Sequence, residues 1–154
     1  MTGDSLASSG TVRRVATGDL SDRDVAAIRS LLWRAFPEGE EAFTEDDWRH
    51  AIGGVHFVLE LDAAVVAHAS VVGRELHLGD RAIRAGYVEA VATDPDWQGR
   101  GLGTRVMRDV GSYIVERFEL GALGTGSHHF YERLGWLTWR GPSFVRTAAG
   151  LRGT

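Results

Sequence analysis

A glycine-rich turn between a strand and a helix is the feature that most restricts how this chain can fold. Residues 87–93 form a largely apolar run that predicts a strand, and residues 102–118 carry an apolar residue at every fourth position, which predicts an amphipathic helix. Between them stand three glycines at alternate positions, Gly99, Gly101 and Gly103. Because glycine has no Cβ, the main-chain N–H groups of such a turn stay accessible. Together with the helix dipole they form a site for phosphate.

The residue types around this turn narrow the choice of phosphate ligand. The P-loop requires Gly-Lys-Ser/Thr, but all 17 basic residues of the chain are arginine. The same composition excludes a Schiff-base lysine and a Ser-Lys dyad. A dinucleotide site requires G-x-G-x-x-G early in a βαβ unit. This turn reads G-x-G-x-G and follows a long antiparallel region, so an oxidoreductase that uses NAD(H) is disfavoured.

The composition is that of one globular domain. The chain has 154 residues, of which 44% are hydrophobic and 25% charged, and this is ordinary for a domain of that size. We predict a disordered tail at residues 1–10 and a single domain over residues 11–154. The absence of cysteine excludes disulfides, thiolate metal sites and a cysteine nucleophile, and it favours a cytoplasmic location.

Charge and hydropathy exclude two kinds of partner. The formal net charge is −4, which argues against nucleic acid. No apolar run approaches the roughly 20 residues that a membrane-spanning helix needs, so no membrane association is predicted.

The order of the predicted elements indicates a mixed α/β (α+β) architecture. A first strand and two helices precede an antiparallel meander, and a β-α-β-α-β succession follows. The predicted strands cover residues 11–15, 55–61, 64–78, 81–93, 120–123 and 136–145. The predicted helices cover residues 21–36, 44–53, 101–118 and 127–134, where Ser21, Thr44 and Ser127 are the candidate N-caps. We therefore expect a central mixed sheet of about six strands with about four helices.

The motif Gln98-x-x-Gly101-x-Gly103 matches the Q/R-x-x-G-x-G/A signature of the GCN5-related N-acetyltransferases. Over residues 11–139 the sequence also resembles one branch of that superfamily, the aminoglycoside 2'-N-acetyltransferases. The matching segments are residues 43–48, 53–56, 67–69, 86–89, 120–123 and 131–136. The resemblance implies the GNAT fold and direct transfer of an acetyl group to a primary amine, namely the 2'-amine of an aminoglycoside antibiotic.

The resemblance also implies the cofactor, acetyl-CoA, and the residues that bind it. The main chain of Val91, Ala92 and Thr93 is expected to pair with the pantetheine arm as an added strand does. A backbone N–H near Val91 is expected to polarise the thioester carbonyl. The pyrophosphate of coenzyme A is expected at Gln98, Gly99, Arg100, Gly101, Leu102, Gly103 and Thr104.

Two side chains are the candidate acid and base. Glu89 lies in an apolar strand segment, where a carboxyl group has a raised pKa and can accept a proton. In the family the matching glutamate is the base, and the alternative is an ordinary surface glutamate. Tyr131 matches the tyrosine that protonates the coenzyme sulfur in the superfamily, and the alternative is a core aromatic residue.

An acidic segment is the candidate substrate site. Six acidic residues and no basic one fall within residues 38–47. The segment is either a solvated loop or a negative surface that attracts a small cationic amine. By resemblance Asp47 binds substrate, and Glu40 or Glu41 replaces a family carboxylate that falls at Ala42. Ala90, Glu89 and Ser127 complete the expected substrate contacts.

No metal site is predicted from the six histidines. His128 and His129 are adjacent but have no third ligand at a recognisable spacing. His56 and His68 fall in strands and are predicted to be hydrogen-bonded structural groups.

The sequence departs from the family at its end. The family continues with a further strand, which inserts beside the strand at residues 120–123, and with a late aspartate and a terminal carboxylate that bind substrate. The final family strand is missing from these 154 residues. Three alternatives follow: a homodimer in which a partner fills the position, a rearranged sheet, or a truncated product. For function, the alternatives to an aminoglycoside acetyltransferase are an enzyme for another small amine or polyamine, or a non-catalytic acyl-CoA-binding module.

Overall fold

Four antiparallel strands and one parallel strand make up the main sheet. The computed structural model describes residues 10–153, and over these residues the strand order is β1-β2-β3-β4-β5. Strands β1 to β4 pair antiparallel, and β5 lies parallel to β4. The strands are β1 (Val12–Ala16), β2 (Val55–Leu61), β3 (Ala64–Leu78), β4 (Arg81–Thr93) and β5 (Leu120–Ala122). The predicted α+β class is confirmed, with five strands in this sheet where about six were expected.

The described residues contain four α-helices, as predicted. They are α1 (Asp22–Ala35), α2 (Glu45–Ala51), α3 (Leu102–Arg117) and α4 (His128–Glu132). The predicted caps of the first two are confirmed. Ser21 Oγ accepts the N–H of Asp24 at 3.0 Å, and Thr44 Oγ1 accepts the N–H of Asp47 at 3.1 Å. Each aspartate accepts an N–H in return, which completes a capping box.

Helices cover both faces of the sheet because neighbouring residues of a strand point to opposite faces. On one face Val58 of β2 lies in a cluster with Ile28 and Leu31 of α1. On the other face the ring of Phe57 contacts Tyr113 of α3 edge-on, with ring centroids 5.4 Å apart. The strands between the two helices are therefore buried on both sides.

The described residues form two compact units, one ending at Gly124 and the other beginning at Thr125. The second unit contains α4 and an antiparallel hairpin of β6 (Phe144–Thr147) and β7 (Gly150–Gly153). That one domain spans residues 11–154 stays a prediction.

The last predicted strand, residues 136–145, is confirmed only at its end. Residues 136–143 form no strand, and β6 begins at Phe144. Pro142 has no N–H to donate to a strand ladder, which disfavours a strand that continues across it. The hairpin forms beyond this proline and pairs only with itself within the described residues.

Of the disordered tail predicted at residues 1–10, the structure describes only Gly10, whose carbonyl accepts a hydrogen bond from Arg105. The rest of the predicted tail lies outside the described residues. Over residues 10–153 no helix is both long enough and apolar enough to cross a bilayer.

Candidate functional site

Glu89 occupies the second half of β4, and its side chain is 23% exposed. Ser70 of β3 lies opposite, and its hydroxyl donates to the carbonyl of Glu89 at 3.3 Å. Burial raises the pKa of the Glu89 carboxyl, and the negative charge of Asp47 raises it further. Arg74 and His50 lower this pKa in part. A carboxyl group of raised pKa accepts a proton more readily than an ordinary glutamate does.

Arg74 supplies a positive charge beside Glu89. Its Nη2 lies 3.8 Å from Glu89 Oε1 and donates to the carbonyl of His50 at 3.2 Å. The guanidinium also lies over the ring of Tyr87, 5.3 Å from its centroid. Sequence reasoning missed both Arg74 and Tyr87. Tyr87 was detectable, because it stands two residues before Glu89 on a strand and therefore shares its face.

A β-bulge follows Glu89 directly. The register pairs Ser70 with Glu89 but His68 with Ala92, so β4 contains one more residue than β3 over this interval. Ala90 lies in the bulge with φ of 53°, a left-handed conformation that is uncommon for residues other than glycine. The carbonyl of Ala90 lies 2.8 Å from Nδ1 of the buried His68. The bulge is therefore fixed from the interior of the protein.

The far edge of β4 is open beyond the bulge. Strand β5 pairs with β4 only over Ala85, Gly86 and Tyr87 within the described residues. On its near edge β4 continues to pair with β3 through Ala92 and Thr93. An extended chain can add to such an unpaired edge by main-chain hydrogen bonds. The structure thus places the predicted pantetheine-pairing segment, Val91 to Thr93, where an added strand can bind.

The glycine-rich turn leads into the N-terminus of the 16-residue helix α3. Gly99 and Gly101 have φ of 80° and 75°, and a Cβ added at either would meet nothing within 4 Å. The N-cap residue is Gly101, which provides no side-chain capping bond. The amides of Leu102, Gly103 and Thr104 lie in the first turn of the helix, where N–H groups have no intrahelical acceptor and suit a diphosphate.

Two polar residues of the turn are exposed. Gln98 directly follows the short 3-10 turn Pro95–Trp97. The Arg100 guanidinium lies over the Trp97 ring, 4.7 Å from its centroid. Both side chains lie at the solvent-facing rim of the turn, where they are available to a charged ligand.

The acidic segment divides into paired and unpaired carboxylates. Asp47 Oδ2 accepts the N–H of Thr44 at 2.9 Å and so completes the cap of α2. Glu45 pairs with Arg29, and Asp46 pairs with Arg49. In this segment the exposed acids Glu38, Glu40 and Glu41 form no ion pair with any residue that the structure describes. The paired carboxylates fit a solvated helix start, and the negative surface stays a prediction.

In the second unit Tyr131 is buried within α4. Its ring contacts Phe130 edge-on, with centroids 4.9 Å apart, and Trp136 at 6.4 Å. Burial raises the pKa of its hydroxyl, so the phenol remains a proton donor at neutral pH. Ser127 stands at the N-cap position, but its side chain makes no capping hydrogen bond, so the predicted cap there is wrong. Its exposed hydroxyl is not used by the helix.

The structure leaves the histidines without a metal-binding arrangement. Among residues 10–153 no three His, Cys, Asp or Glu side chains converge as a metal site. His56 and His68 are confirmed as buried hydrogen-bonded groups, with 2.9 Å between His56 Nδ1 and His68 Nε2.

Comparison with known proteins identifies the family. The sequence model described as the Acetyltransferase (GNAT) family matches residues 25–136. An aminoglycoside 2'-N-acetyltransferase of Mycolicibacterium fortuitum is 42% identical over 146 residues, which are 94% of this chain and 73% of that protein.

Solved structures agree on the fold. An aminoglycoside N-acetyltransferase in complex with CoA superimposes with a TM-score of 0.65 at 15% identity, and the match covers 89% of this chain and 93% of that one. An acetyltransferase of Trypanosoma brucei gives a TM-score of 0.61 at 22% identity and covers 84% of this chain and 94% of that one.

The family model and the 42% identical relative define the class of protein, an acetyl-CoA-dependent transferase. The chain belongs to the GNAT family of acetyltransferases. It is an N-acetyltransferase that uses acetyl-CoA, so the predicted family, fold and cofactor are confirmed.

Proposed function

We propose that this enzyme acetylates the 2'-amine of an aminoglycoside. The observation that carries the proposal is the position of Glu89, a half-buried carboxyl of raised pKa at the open edge of β4. The 42% identity to an aminoglycoside 2'-N-acetyltransferase supports this substrate class. The unpaired acids Glu38, Glu40 and Glu41 support a polycationic substrate, because their field attracts ammonium groups. Since acetyl-CoA is a cytoplasmic metabolite, we place the activity in the cytoplasm.

The donor is held mainly by main-chain groups. Val91, Ala92 and Thr93 pair with its pantetheine arm along the open edge of β4. The amides from Gly99 to Thr104 bind its diphosphate at the positive end of α3, with Gln98 and Arg100 at the rim. When bound, acetyl-CoA supplies an acetyl group activated as a thioester.

Three groups of the protein act on the reaction. Glu89 accepts the proton of the substrate ammonium group, directly or through one water, because only the free amine is nucleophilic. The N–H of Val91 stabilises the negative charge that develops on the acetyl oxygen. Tyr131 holds a proton at its Oη for the departing sulfur. No cysteine is present for a covalent acyl-enzyme, which supports direct attack.

Asp47 is a substrate ligand in this proposal. Its negative charge raises the pKa of Glu89. Oδ2 is used by the cap of α2, and Oδ1 remains for a substrate ammonium group. Glu40 and Glu41 attract further ammonium groups, and Ala90 and Ser127 complete the contacts.

A thiol-release assay with acetyl-CoA against a panel of aminoglycosides tests the proposal, with mass spectrometry of each product. We expect turnover only with substrates that carry a 2'-amine, and one acetyl group at that nitrogen. Glu89→Gln is expected to lower kcat by about tenfold to a thousandfold. It leaves the Kd for coenzyme A unchanged, because the side chain does not hold the donor.

Glu75→Gln is the matched control, because this carboxylate is exposed on β3 and its one ion-pair partner within residues 10–153 is His77. If the enzyme acetylated spermidine efficiently and none of the aminoglycosides, the proposed aminoglycoside substrate would be wrong and a polyamine would take its place. Coenzyme A binding without turnover on any amine would contradict the catalytic roles of Glu89 and Tyr131.

A further inference from the structure

A continuous row of hydrogen bonds runs through the protein interior to the bulge beside Glu89. It begins at the N–H of Gly53, which donates to Thr17 Oγ1 at 2.9 Å. Thr17 Oγ1 lies 2.7 Å from His56 Nε2, and His56 Nδ1 lies 2.9 Å from His68 Nε2. It ends where His68 Nδ1 meets the carbonyl of Ala90 at 2.8 Å. Both histidines are fully buried.

The two ends of the row fix the direction of every bond in it. A carbonyl can only accept, so His68 Nδ1 carries a proton and donates to Ala90. In a neutral ring Nε2 then accepts, so His56 donates from Nδ1 and accepts at Nε2. The hydroxyl of Thr17 therefore donates to His56. The carbonyl of Gly54, 3.4 Å from that hydroxyl, already accepts the N–H of Thr17 at 3.0 Å.

Both rings are neutral at physiological pH. Burial lowers the pKa of His56 to about 4 and that of His68 to about 3. The two ring centroids lie 5.2 Å apart, so a positive charge on one ring would repel a positive charge on the other. Among the described residues no buried side-chain nitrogen or oxygen lacks a partner, so the row is complete as it stands.

The planarity of the peptide bond transmits this arrangement to Val91. The carbonyl of Ala90 and the N–H of Val91 belong to one trans peptide unit, in which they point in opposite directions. Since His68 holds that carbonyl towards the interior, the N–H of Val91 is directed to the opposite side of the plane. Hydrogen bonds in series also polarise one another, so a donor on the carbonyl makes the N–H of the same amide a stronger donor.

We propose that Thr17, His56 and His68 are positioning residues that orient and polarise the Val91 N–H for the acetyl oxygen. The inference rests on the proposed function in one respect, the role of that N–H. It assigns a function to two buried histidines and a threonine that are remote from the reacting atoms. It also links the bulge to the Gly53-Gly54 turn, which follows α2 and the substrate ligand Asp47.

The tautomers provide a test that does not depend on activity. In ¹⁵N NMR spectra of the full chain at neutral pH, we expect both His56 and His68 to be neutral with the proton on Nδ1. A proton on Nε2 of either buried ring, or a charged ring, would overturn the proposal.

Thr17→Val interrupts the row at its outer end while keeping the shape of the side chain. We expect the NMR chemical shift of the Val91 amide proton to change as it does when an N–H becomes a weaker hydrogen-bond donor. We also expect kcat to fall about three- to tenfold, which is a fraction of the effect of removing an oxyanion donor. The Kd for coenzyme A is unchanged, since that molecule has no acetyl oxygen. Thr17→Ser restores the hydroxyl and is expected to restore both values.

Thr11→Val is the matched control, because Thr11 is exposed and lies outside the row. A Val91 amide shift and a kcat that stay at the wild-type values in folded Thr17→Val would overturn the proposal. A loss of coenzyme A affinity equal to the loss in kcat would also overturn it, since that marks a general structural effect. If the wild type acetylates no amine, the proposed function fails, while the Val91 amide shift still decides whether the row acts on that amide.

Discussion

At the scale of single residues, the proton of Glu89 is subject to opposing influences. Burial and the charge of Asp47 favour the neutral acid, whereas Arg74 and His50 favour the carboxylate. The Arg74 guanidinium is held in place by the His50 carbonyl and the Tyr87 ring. Arg74 therefore limits how far the pKa of Glu89 rises.

Arg74→Leu tests this balance through the pH dependence of kcat/KM. A base must be deprotonated to act, so activity falls on the acid side with an apparent pKa above the ordinary glutamate value of 4.5. Without the Arg74 charge the pKa of Glu89 rises further, and the acid limb moves to higher pH. Arg81→Leu, an exposed arginine of the same hairpin paired with Glu119, leaves the limb in place. A shift of the limb to lower pH would contradict the assignment of Glu89.

At the scale of elements, the glycine at the N-cap of α3 and a glycine inside that helix have opposite requirements. Gly101 has φ of 75° at the N-cap, where a side chain is strained and would project into the cradle. Gly111 lies in the helix interior with ordinary φ, and a Cβ there would meet nothing within 4 Å. The first glycine is required by the turn, and the second only lowers helix stability.

The same substitution at these two positions is expected to have opposite effects. Gly101→Ala lowers the free energy of unfolding by about 1–2 kcal/mol, the cost of a left-handed alanine, and raises the Kd for coenzyme A. Gly111→Ala raises the free energy of unfolding by roughly 0.5–1 kcal/mol and leaves the Kd unchanged. Urea denaturation and calorimetric titration measure the two quantities. Equal coenzyme A affinity in both variants would mean that the turn does not hold the diphosphate.

Elements with local signals were predictable, and those that depend on tertiary contacts were not. Ser21 and Thr44 predict the start of their helices, because each capping bond joins residues three apart and is therefore visible in the sequence. The bulge at Ala90 has no such signal, since its positive φ is imposed by the register with β3 and by His68. The strand predicted at residues 136–145 begins only at Phe144, beyond Pro142, which has no N–H for a strand ladder.

The same distinction applies to the candidate site. Glu89, Tyr131 and the glycine turn came from resemblance and motif, and their roles remain predictions. Arg74 was not found, because it reaches Glu89 only through the pairing of β3 with β4. The row from Thr17 to His68 joins positions far apart in the chain, so no spacing in the sequence indicates it.

At the scale of the whole molecule, the buried histidines make stability depend on pH. In the unfolded chain both titrate near 6.5, whereas in the folded protein their pKa values are about 4 and about 3. Between those limits the unfolded state binds two more protons than the native state. Stability is therefore retained above 6.5 and is lost as the pH falls below it.

Urea denaturation between pH 7.5 and 5.5 measures this linkage. Towards the acid end of that range we expect the free energy of unfolding to decline with a limiting slope of about 2.7 kcal/mol per pH unit, for two protons. His56→Gln does not titrate and is expected to halve the slope. His129→Gln, whose side chain is 99% exposed, is expected to leave it unchanged. A stability that is flat over this range would show that the two rings are not held neutral.

The guanidinium beside Glu89 has a chemical consequence for an enzyme that handles an activated acyl group. A base that removes protons from ammonium groups would also free a neighbouring lysine amine for attack on the thioester. Arginine stays protonated at every physiological pH and is not a competing nucleophile. Arg74 therefore lowers the pKa of the proposed base without offering an amine that could be acetylated. All 17 basic side chains of this sequence are arginine, so none of them offers such an amine.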